Sequence, residues 1–87
     1  MYLHLGQSVM VPETELIGLF DLDNTTQSFL TRAFLERAER GGRVESITED
    51  IPKTFAVCGR GKEDPKIYLS QLATATLLKR AESRSFE

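Results

Sequence analysis

The chain has 87 residues, a formal net charge of −2, and a composition that is 40% hydrophobic and 28% charged. This length predicts one domain spanning residues 1–87, with residues 83–87 frayed at its end. No membrane partner is expected, because no apolar run approaches the roughly 18–20 residues needed to cross a bilayer. Cys58 is the only cysteine, which excludes an internal disulfide and favours a cytoplasmic protein.

Three short strands are predicted in the first twenty residues. The segment Tyr2–Leu5 alternates apolar and polar side chains, Gly6-Gln7 is a turn signal, and Ser8–Val11 pairs back. This pattern is typical of an antiparallel hairpin. A third, mostly buried strand is predicted over Glu15–Phe20, and Gly18 within it indicates a bulge or a close approach of the backbone.

A helix is predicted next, capped by Asn24 or Thr25 and running for roughly 14 residues to Arg40. Its expected buried face consists of the apolar side chains with helical spacing, namely Leu30, Ala33, Phe34 and Ala38. Phe29 and Leu35 fall outside this stripe. We therefore expect these two residues to contact a partner chain.

The second half of the chain predicts three more strands, over Arg43–Ile47, Thr54–Cys58 and Lys66–Ser70. A final helix starts at Thr74 or Thr76. Its expected inward side chains are Leu77, Leu78 and Ala81. Because strands and helices do not alternate as βαβ units, the predicted fold class is α+β, with a small mixed or antiparallel sheet of five or six short strands and two helices.

Two aspartates, Asp21 and Asp23, directly follow the third strand. A strand followed by Asp-x-Asp-x-Thr resembles the haloacid dehalogenase phosphatases, where the first carboxylate attacks phosphorus and the second is a general acid and base beside Mg²⁺. That chemistry also needs a parallel sheet larger than this chain, a phosphate-binding lysine and a distant acidic pair. We therefore expect both aspartates to stabilise the positive end of the following helix, and we expect no catalysis.

No metal, cofactor or small-molecule substrate is predicted. A calcium loop starting at Asp21 would need glycine where Thr26 stands and glutamate where Arg32 stands. His4 has no histidine or cysteine at ligand spacing. Cys58 continues an apolar strand, which favours a packing role.

The remaining candidates are basic side chains, which could contact phosphates if several share one face. They are Arg32, Arg37, Arg40, Arg43, Lys53, Arg60, Lys62, Lys66, Lys79 and Arg80. The competing interpretation is a solvated surface with local ion pairs, such as Arg32–Glu36 at i,i+4 spacing. Charge is also segregated along the chain, with −4 over residues 13–23 and +2 over residues 32–43, which matters for the steering of partners.

Four blocks of sequence together resemble a known family. They are Met1-Tyr-Leu-His-Leu-Gly6, Ile17-Gly-Leu-Phe-Asp21, Pro52-Lys53 before a valine-containing strand, and Ile67-Tyr-Leu-Ser70 followed by Thr76-Leu-Leu-Lys-Arg-Ala81. In this order and spacing they are similar to the bacterial extracellular-matrix regulator family of RemA- and RemB-like proteins, a former domain of unknown function. The resemblance spans nearly the whole chain and is closer to the RemB-like branch.

The resemblance implies a non-enzymatic, cytoplasmic transcription regulator of biofilm matrix genes. It implies binding of double-stranded DNA by a homo-oligomeric ring, and a fold similar to LytTR DNA-binding domains. RemA-like members carry an arginine pair in the loop before the penultimate core strand, where this chain has Ile51 and Pro52, with Lys53 as the nearest base. The alternative is therefore a ring-forming protein–protein interaction module without DNA binding.

For the DNA-binding interpretation, six basic residues are the predicted phosphate contacts. They are Lys53, Arg43, Arg60 and Lys62, followed by Arg32 and Lys66. Such contacts release counterions from DNA, so binding should weaken steeply as salt rises.

Overall fold

A computed structural model describes residues 2–7, 9–22 and 29–82 of the chain. The described residues form six strands, two α-helices and one short 3₁₀ turn at Glu13–Glu15. In chain order the elements are β1 (Tyr2–Gly6), β2 (Val9–Pro12), β3 (Leu16–Asp21), α1 (Phe29–Arg40), β4 (Val44–Ser46), β5 (Thr54–Cys58), β6 (Lys66–Ser70) and α2 (Thr74–Glu82). The predicted α+β class is confirmed. Neither described helix is long and apolar enough to cross a membrane.

The strands divide between two sheets. The antiparallel hairpin β1–β2 forms one sheet, and the second has the order β3-β5-β6-β4. Strand β5 is antiparallel to both of its neighbours, whereas β4 is parallel to β6. Every residue of β5 is buried, which explains why four of its five residues are apolar, because both of its faces are covered.

The larger sheet separates two clusters of buried side chains. On one face, Ala56 and Cys58 pack with the hairpin and with α2, through residues that include Leu5 and Leu77. On the other face, the alternate residues Phe55 and Val57 pack with Ala38, Ile67 and α1. The domain therefore has three layers, with the sheet between α1 and a layer formed by the hairpin and α2.

Buried hydroxyl groups join the hairpin–α2 layer to the sheet. The Oγ of Ser70 donates to the carbonyl of Leu5 at 2.5 Å and accepts from the Leu72 amide at 3.1 Å. The Oγ1 of Thr54 donates to the Leu72 carbonyl at 2.8 Å and lies 2.8 Å from the Thr74 hydroxyl. Both side chains are fully buried, so their polar atoms depend on these partners.

Helix α1 ends where the sequence predicts. Gly42 adopts a left-handed φ of 70°, and the amide of Arg43 donates to the Ala38 carbonyl at 2.9 Å. A glycine tolerates this conformation without a Cβ clash. The predicted cap at Asn24 or Thr25 lies outside the described residues.

The predicted inner faces of the helices are correct in part. Ala38 and Leu77 are fully buried, but Leu30 is 77% exposed and Leu78 is 49% exposed, so the prediction of these two as inward residues is wrong. Helix α1 packs on the β5–β6–β4 side of the sheet through its later turns, which leaves Leu30 beside the uncovered strand β3. Helix α2 contacts the core mainly through Leu77 and Ala81, one turn apart on one stripe.

Candidate nucleic-acid and assembly surfaces

The six predicted phosphate contacts do not share one face of the domain. Lys53 precedes β5 and Arg60 follows it, so these residues lie at opposite ends of the sheet, on the order of 20 Å apart at about 3.3 Å per residue. Arg32 is exposed on α1. The structure therefore separates Lys53 from Arg43, Arg60, Lys62 and Lys66, and it places Arg32 on α1 rather than at an end of the sheet.

Those four residues lie together at the end of the sheet that carries the β5–β6 turn. Arg60 and Lys62 are exposed in the turn, and Lys66 begins β6. Arg43 joins them because β4 runs parallel beside β6. Its guanidinium donates to the carbonyl of Pro65 at 2.9 Å, so Arg43 also holds the turn in place.

Acidic side chains offset this basic group. Arg60 lies 3.4 Å from the carboxylate of Glu15, and Lys66 lies 3.1 Å from that of Glu45. The hydrogen bond that Lys66 donates to Glu45 is the main cause that raises the pKa of Lys66. The ammonium of Lys66 also lies 5.1 Å from the ring centre of Tyr68. With Glu63 and Asp64 also in the turn, four bases are matched by four acids, so one chain presents no net positive charge here.

The opposite end of the sheet is acidic. The amide of Lys53 donates to the Ser70 carbonyl at 2.8 Å, and its carbonyl accepts from Leu22 at 3.0 Å. The backbone of Lys53 is thus fixed between β3 and β6, while its side chain is exposed. The same loop carries the exposed acids Glu49 and Asp50, which outnumber the single base.

An apolar groove lies between β3 and the first turns of α1. It has a volume of about 440 Å³ and is lined by Ile17, Phe20, Leu30, Thr31, Phe34, Phe55, Val57 and Pro65. Ile17 is 64% exposed and Phe29, in the first turn of α1, is 73% exposed. Exposed apolar patches that are rimmed by polar residues often mark interaction sites.

The floor of the groove depends on Gly18. A Cβ on this residue would lie 2.8 Å from the ring of Phe20, which stacks on Phe55 with ring centres 5.0 Å apart. The pairing of β3 with β5 shifts register between Leu16 and Gly18. The predicted bulge is therefore confirmed, and it is the reason that Ile17 projects beside Phe20 into the groove.

Further exposed apolar side chains lie on the hairpin and on α2. Tyr2 is 58% exposed and Met10 is 56% exposed, and Leu78 on α2 is exposed as well. The guanidinium of Arg80 donates to the carbonyl of His4 at 3.2 Å, which ties α2 to β1. The sequence analysis did not predict that Tyr2 is exposed, although strand alternation alone places it on the face opposite to the buried Leu3 and Leu5.

The two residues predicted at an oligomer interface differ in placement. Phe29 is exposed beside the groove. Leu35 is half-buried and packs against the cluster that contains Ala38 and Ile67. Contact of either residue with a partner chain stays a prediction. Phe29 presents more exposed side chain for such a contact than Leu35 does.

The other candidate groups are placed as follows. Cys58 is buried, as predicted, and burial followed by the charge of Glu15 raises its pKa from 9.0 to about 11. The Nε2 of His4 lies 2.6 Å from the Gln7 carbonyl.

Asp21 ends β3, an edge strand antiparallel to β5, and Asp23 lies outside the described residues. In residues 2–7, 9–22 and 29–82, no group of three or more histidine, cysteine or acidic side chains is placed to hold a metal ion.

Comparison with known proteins finds a similarity that spans nearly the whole chain. No family model matches the sequence. Among curated proteins, the chain is 30% identical over 82 residues to extracellular matrix regulatory protein B of Bacillus subtilis strain 168. The alignment covers 94% of this chain and 91% of that protein. The similarity therefore extends over both sheets and both helices rather than one motif.

Proposed function

The chain belongs to the family of extracellular matrix regulatory protein B, and we propose that it is a non-enzymatic cytoplasmic regulator that binds double-stranded DNA as a homo-oligomeric ring. The observation that carries this proposal is the match over nearly the full length of a protein named as a regulator.

The exposed apolar side chains support assembly. Ile17, Phe29 and Leu30 are each more than half exposed on one side of the domain, as are Tyr2 and Met10 on another. A chain of 87 residues buries a modest core, and self-association is a common way for small domains to bury more apolar surface.

For the DNA contact we propose the β5–β6 turn, with Arg60 and Lys62 as the leading residues and Lys66 beside them. Both leading side chains are exposed. Residues 59–66 alone carry a net charge of +1, and Arg43, Glu15 and Glu45 beside them bring the total to zero. A weak site of this kind gains affinity when it is repeated in a ring, because each bound site raises the effective concentration of the next.

The charge balance favours a second candidate function. The acids around the turn and the residues Ile51 and Pro52, at the place of the arginine pair in RemA-like members, support an assembly that binds a protein instead of DNA. Ile51 is 87% exposed, so an arginine at this position would have access to a phosphate backbone. A basic protein partner would suit the acidic loop at Glu49 and Asp50.

The test is a titration of labelled random duplex DNA with the full chain, followed by fluorescence anisotropy over a range of salt concentrations. The proposal expects log K to fall linearly with log salt, because each phosphate contact releases counterions. Light scattering on the same samples gives the mass of the assembly with and without DNA. A titration that shows no binding at micromolar protein, or binding that is flat with salt, would reject DNA as the partner and leave the protein-binding candidate.

A further inference from the structure

We propose that the apolar groove between β3 and α1 binds a long-chain carboxylate. The alkyl chain of this ligand lies along the groove, and its carboxylate lies at the end of the groove near Pro65. Two features carry the proposal, which are the apolar interior of the groove and the arginines at one of its ends. Neither feature depends on DNA binding or on assembly.

The groove has a buried floor and exposed walls. Phe55 and Val57, both on β5, are 2% and 6% exposed and line its floor. Ile17 on β3 and Leu30 on α1 are 64% and 77% exposed and line its sides. Its volume of about 440 Å³ is in the range of small-molecule pockets. A narrow chain can reach this floor, whereas the flat surface of a protein would cover the rim alone.

The lining selects against polar ligands. Among the described residues that line the groove, Thr31 is the single one with a polar side chain, and none is charged. A sugar or a nucleotide has many hydrogen-bonding groups, and each one that is buried without a partner costs free energy. An alkyl chain has no such groups, and its burial removes apolar surface from water on the ligand and on the groove. The interior therefore favours an aliphatic ligand.

Arg43 provides a fixed positive charge at the Pro65 end. Its guanidinium donates to the carbonyl of Pro65, a lining residue, at 2.9 Å. A Cβ on Gly41, just past the end of α1, would lie 3.1 Å from the Nε of Arg43. The guanidinium is thus held between the end of α1 and Pro65, on the side of the sheet that carries the groove. Because a guanidinium has several N–H donors, the contact with Pro65 leaves others for a ligand.

Arg60 adds a second guanidinium at the same end. It follows Gly59, where a Cβ would lie 3.3 Å from the Cδ1 of Ile17 and 3.5 Å from the Cα of Pro65. The Nε of Arg60 lies 3.4 Å from a carboxylate oxygen of Glu15, and 75% of the Arg60 side chain is exposed. An exposed ion pair of this kind is weak. A ligand carboxylate can therefore compete for this guanidinium, whose planar fork matches a carboxylate in geometry.

The charges along β3 orient the ligand. Asp21 ends β3 next to Phe20, which lines the groove. The antiparallel register pairs Asp21 with Thr54 and Leu16 with Cys58, so Asp21 and Arg60 lie at opposite ends of the sheet. A ligand carboxylate is repelled by Asp21 and attracted by the two arginines. The alkyl chain therefore extends from the Pro65 end towards Phe20.

The first test is isothermal titration calorimetry of the full chain with octanoate, decanoate and dodecanoate, each below its micelle-forming concentration. Affinity should rise along this series by up to about fourfold for each added CH₂ group, as expected for burial of an alkyl chain. Decanol has the same chain as decanoate without the charge. We expect decanol to bind about tenfold more weakly, because it lacks the charge-assisted hydrogen bonds to guanidinium groups.

Two pairs of variants locate the ligand. Leu30→Glu places a charge on the wall of the groove, and Met10→Glu is its matched control at an apolar residue of the hairpin that is 56% exposed. Arg60→Gln removes a guanidinium, and Lys62→Gln is its matched control in the same turn. We expect Leu30→Glu to weaken decanoate and decanol alike. Arg60→Gln should weaken decanoate by about tenfold and leave decanol unchanged, which a loss of groove structure would not do.

Three results would overturn the proposal. They are no binding of decanoate to the wild type at millimolar ligand, tighter binding of decanol than of decanoate, and equal effects of Leu30→Glu and Met10→Glu. The second result would show a purely apolar surface, and the third would place the ligand outside the groove. Circular dichroism verifies the fold of each variant, and Ile17→Glu replaces Leu30→Glu should that variant unfold. The DNA titration reports separately on the proposed function.

Discussion

Replacement of Ser70 by alanine tests the link between the sheet and the hairpin. Its hydroxyl donates to the Leu5 carbonyl on β1 and accepts from the Leu72 amide before α2. Ser70 and Leu5 are both fully buried. The substitution would therefore leave a carbonyl and an amide without their partner, in a place that water reaches poorly.

The expected loss can be worked from these two groups. A buried polar group that loses its partner costs about 1–3 kcal/mol. Leu72 is half-buried, so its amide can recover part of that loss through water, and we expect a total of about 2–3 kcal/mol. Domains of this size have a free energy of unfolding on the order of 5–10 kcal/mol, so the change is a large fraction of the whole.

Urea unfolding monitored by circular dichroism gives the free energy of unfolding. The measurement is repeated at two protein concentrations, because assembly adds stability by mass action. Ser46→Ala is the matched control, since this exposed residue loses a single hydroxyl contact, to the Thr48 carbonyl. A Ser70→Ala variant within about 0.5 kcal/mol of the control at an unchanged m value would refute the reasoning.

Three further predictions concern the groove, the buried thiol and the basic turn. Gly18→Ala should destabilise the fold by about 1–3 kcal/mol in urea, because its Cβ would lie 2.8 Å from the Phe20 ring; an unchanged midpoint would contradict this. Because Cys58 keeps its proton in the folded chain up to a pKa of about 11, against 9.0 ordinarily, its contribution to stability is complete below pH 9 and is lost as pH rises towards 11. Thermal midpoints across that range should fall less in Cys58→Ala than in the wild type, and equal slopes would contradict the raised pKa. Lys62→Ala should weaken DNA binding and lower the slope of log K against log salt by about 0.9. The same change at Lys53, at the other end of the sheet, tests whether that end contacts DNA at all.

Local patterns predicted most of the elements. The alternation in Tyr2–Leu5 predicted a hairpin strand, the run Thr54–Cys58 predicted a buried strand, and Gly41-Gly42 predicted the end of α1. Each of these depends on neighbours within a few residues in the sequence, so side-chain period and turn chemistry are sufficient. The same holds for Gly18, whose lack of a Cβ indicated the irregular pairing of β3.

The candidate site was predictable only in its residue types. Basic residues that contact phosphate can be chosen by charge, but their grouping depends on which strands are neighbours. The parallel pairing of β4 with β6 brings Arg43 beside Lys66, and the direction of β5 separates Lys53 from Arg60. No periodicity within a strand contains that information.

The sequence by itself determined the α+β class, the order of the elements, the buried central strand and the segregation of acidic and basic stretches. Only the tertiary structure decided which helix faces are covered, because Leu30 and Leu78 have the right spacing for a core but lie where no layer packs against them. It also placed strand β3, which ends in Asp21, at the open edge of an apolar groove. The physical reason is that burial depends on what lies across from a side chain, and contacts between distant segments leave little trace in local spacing.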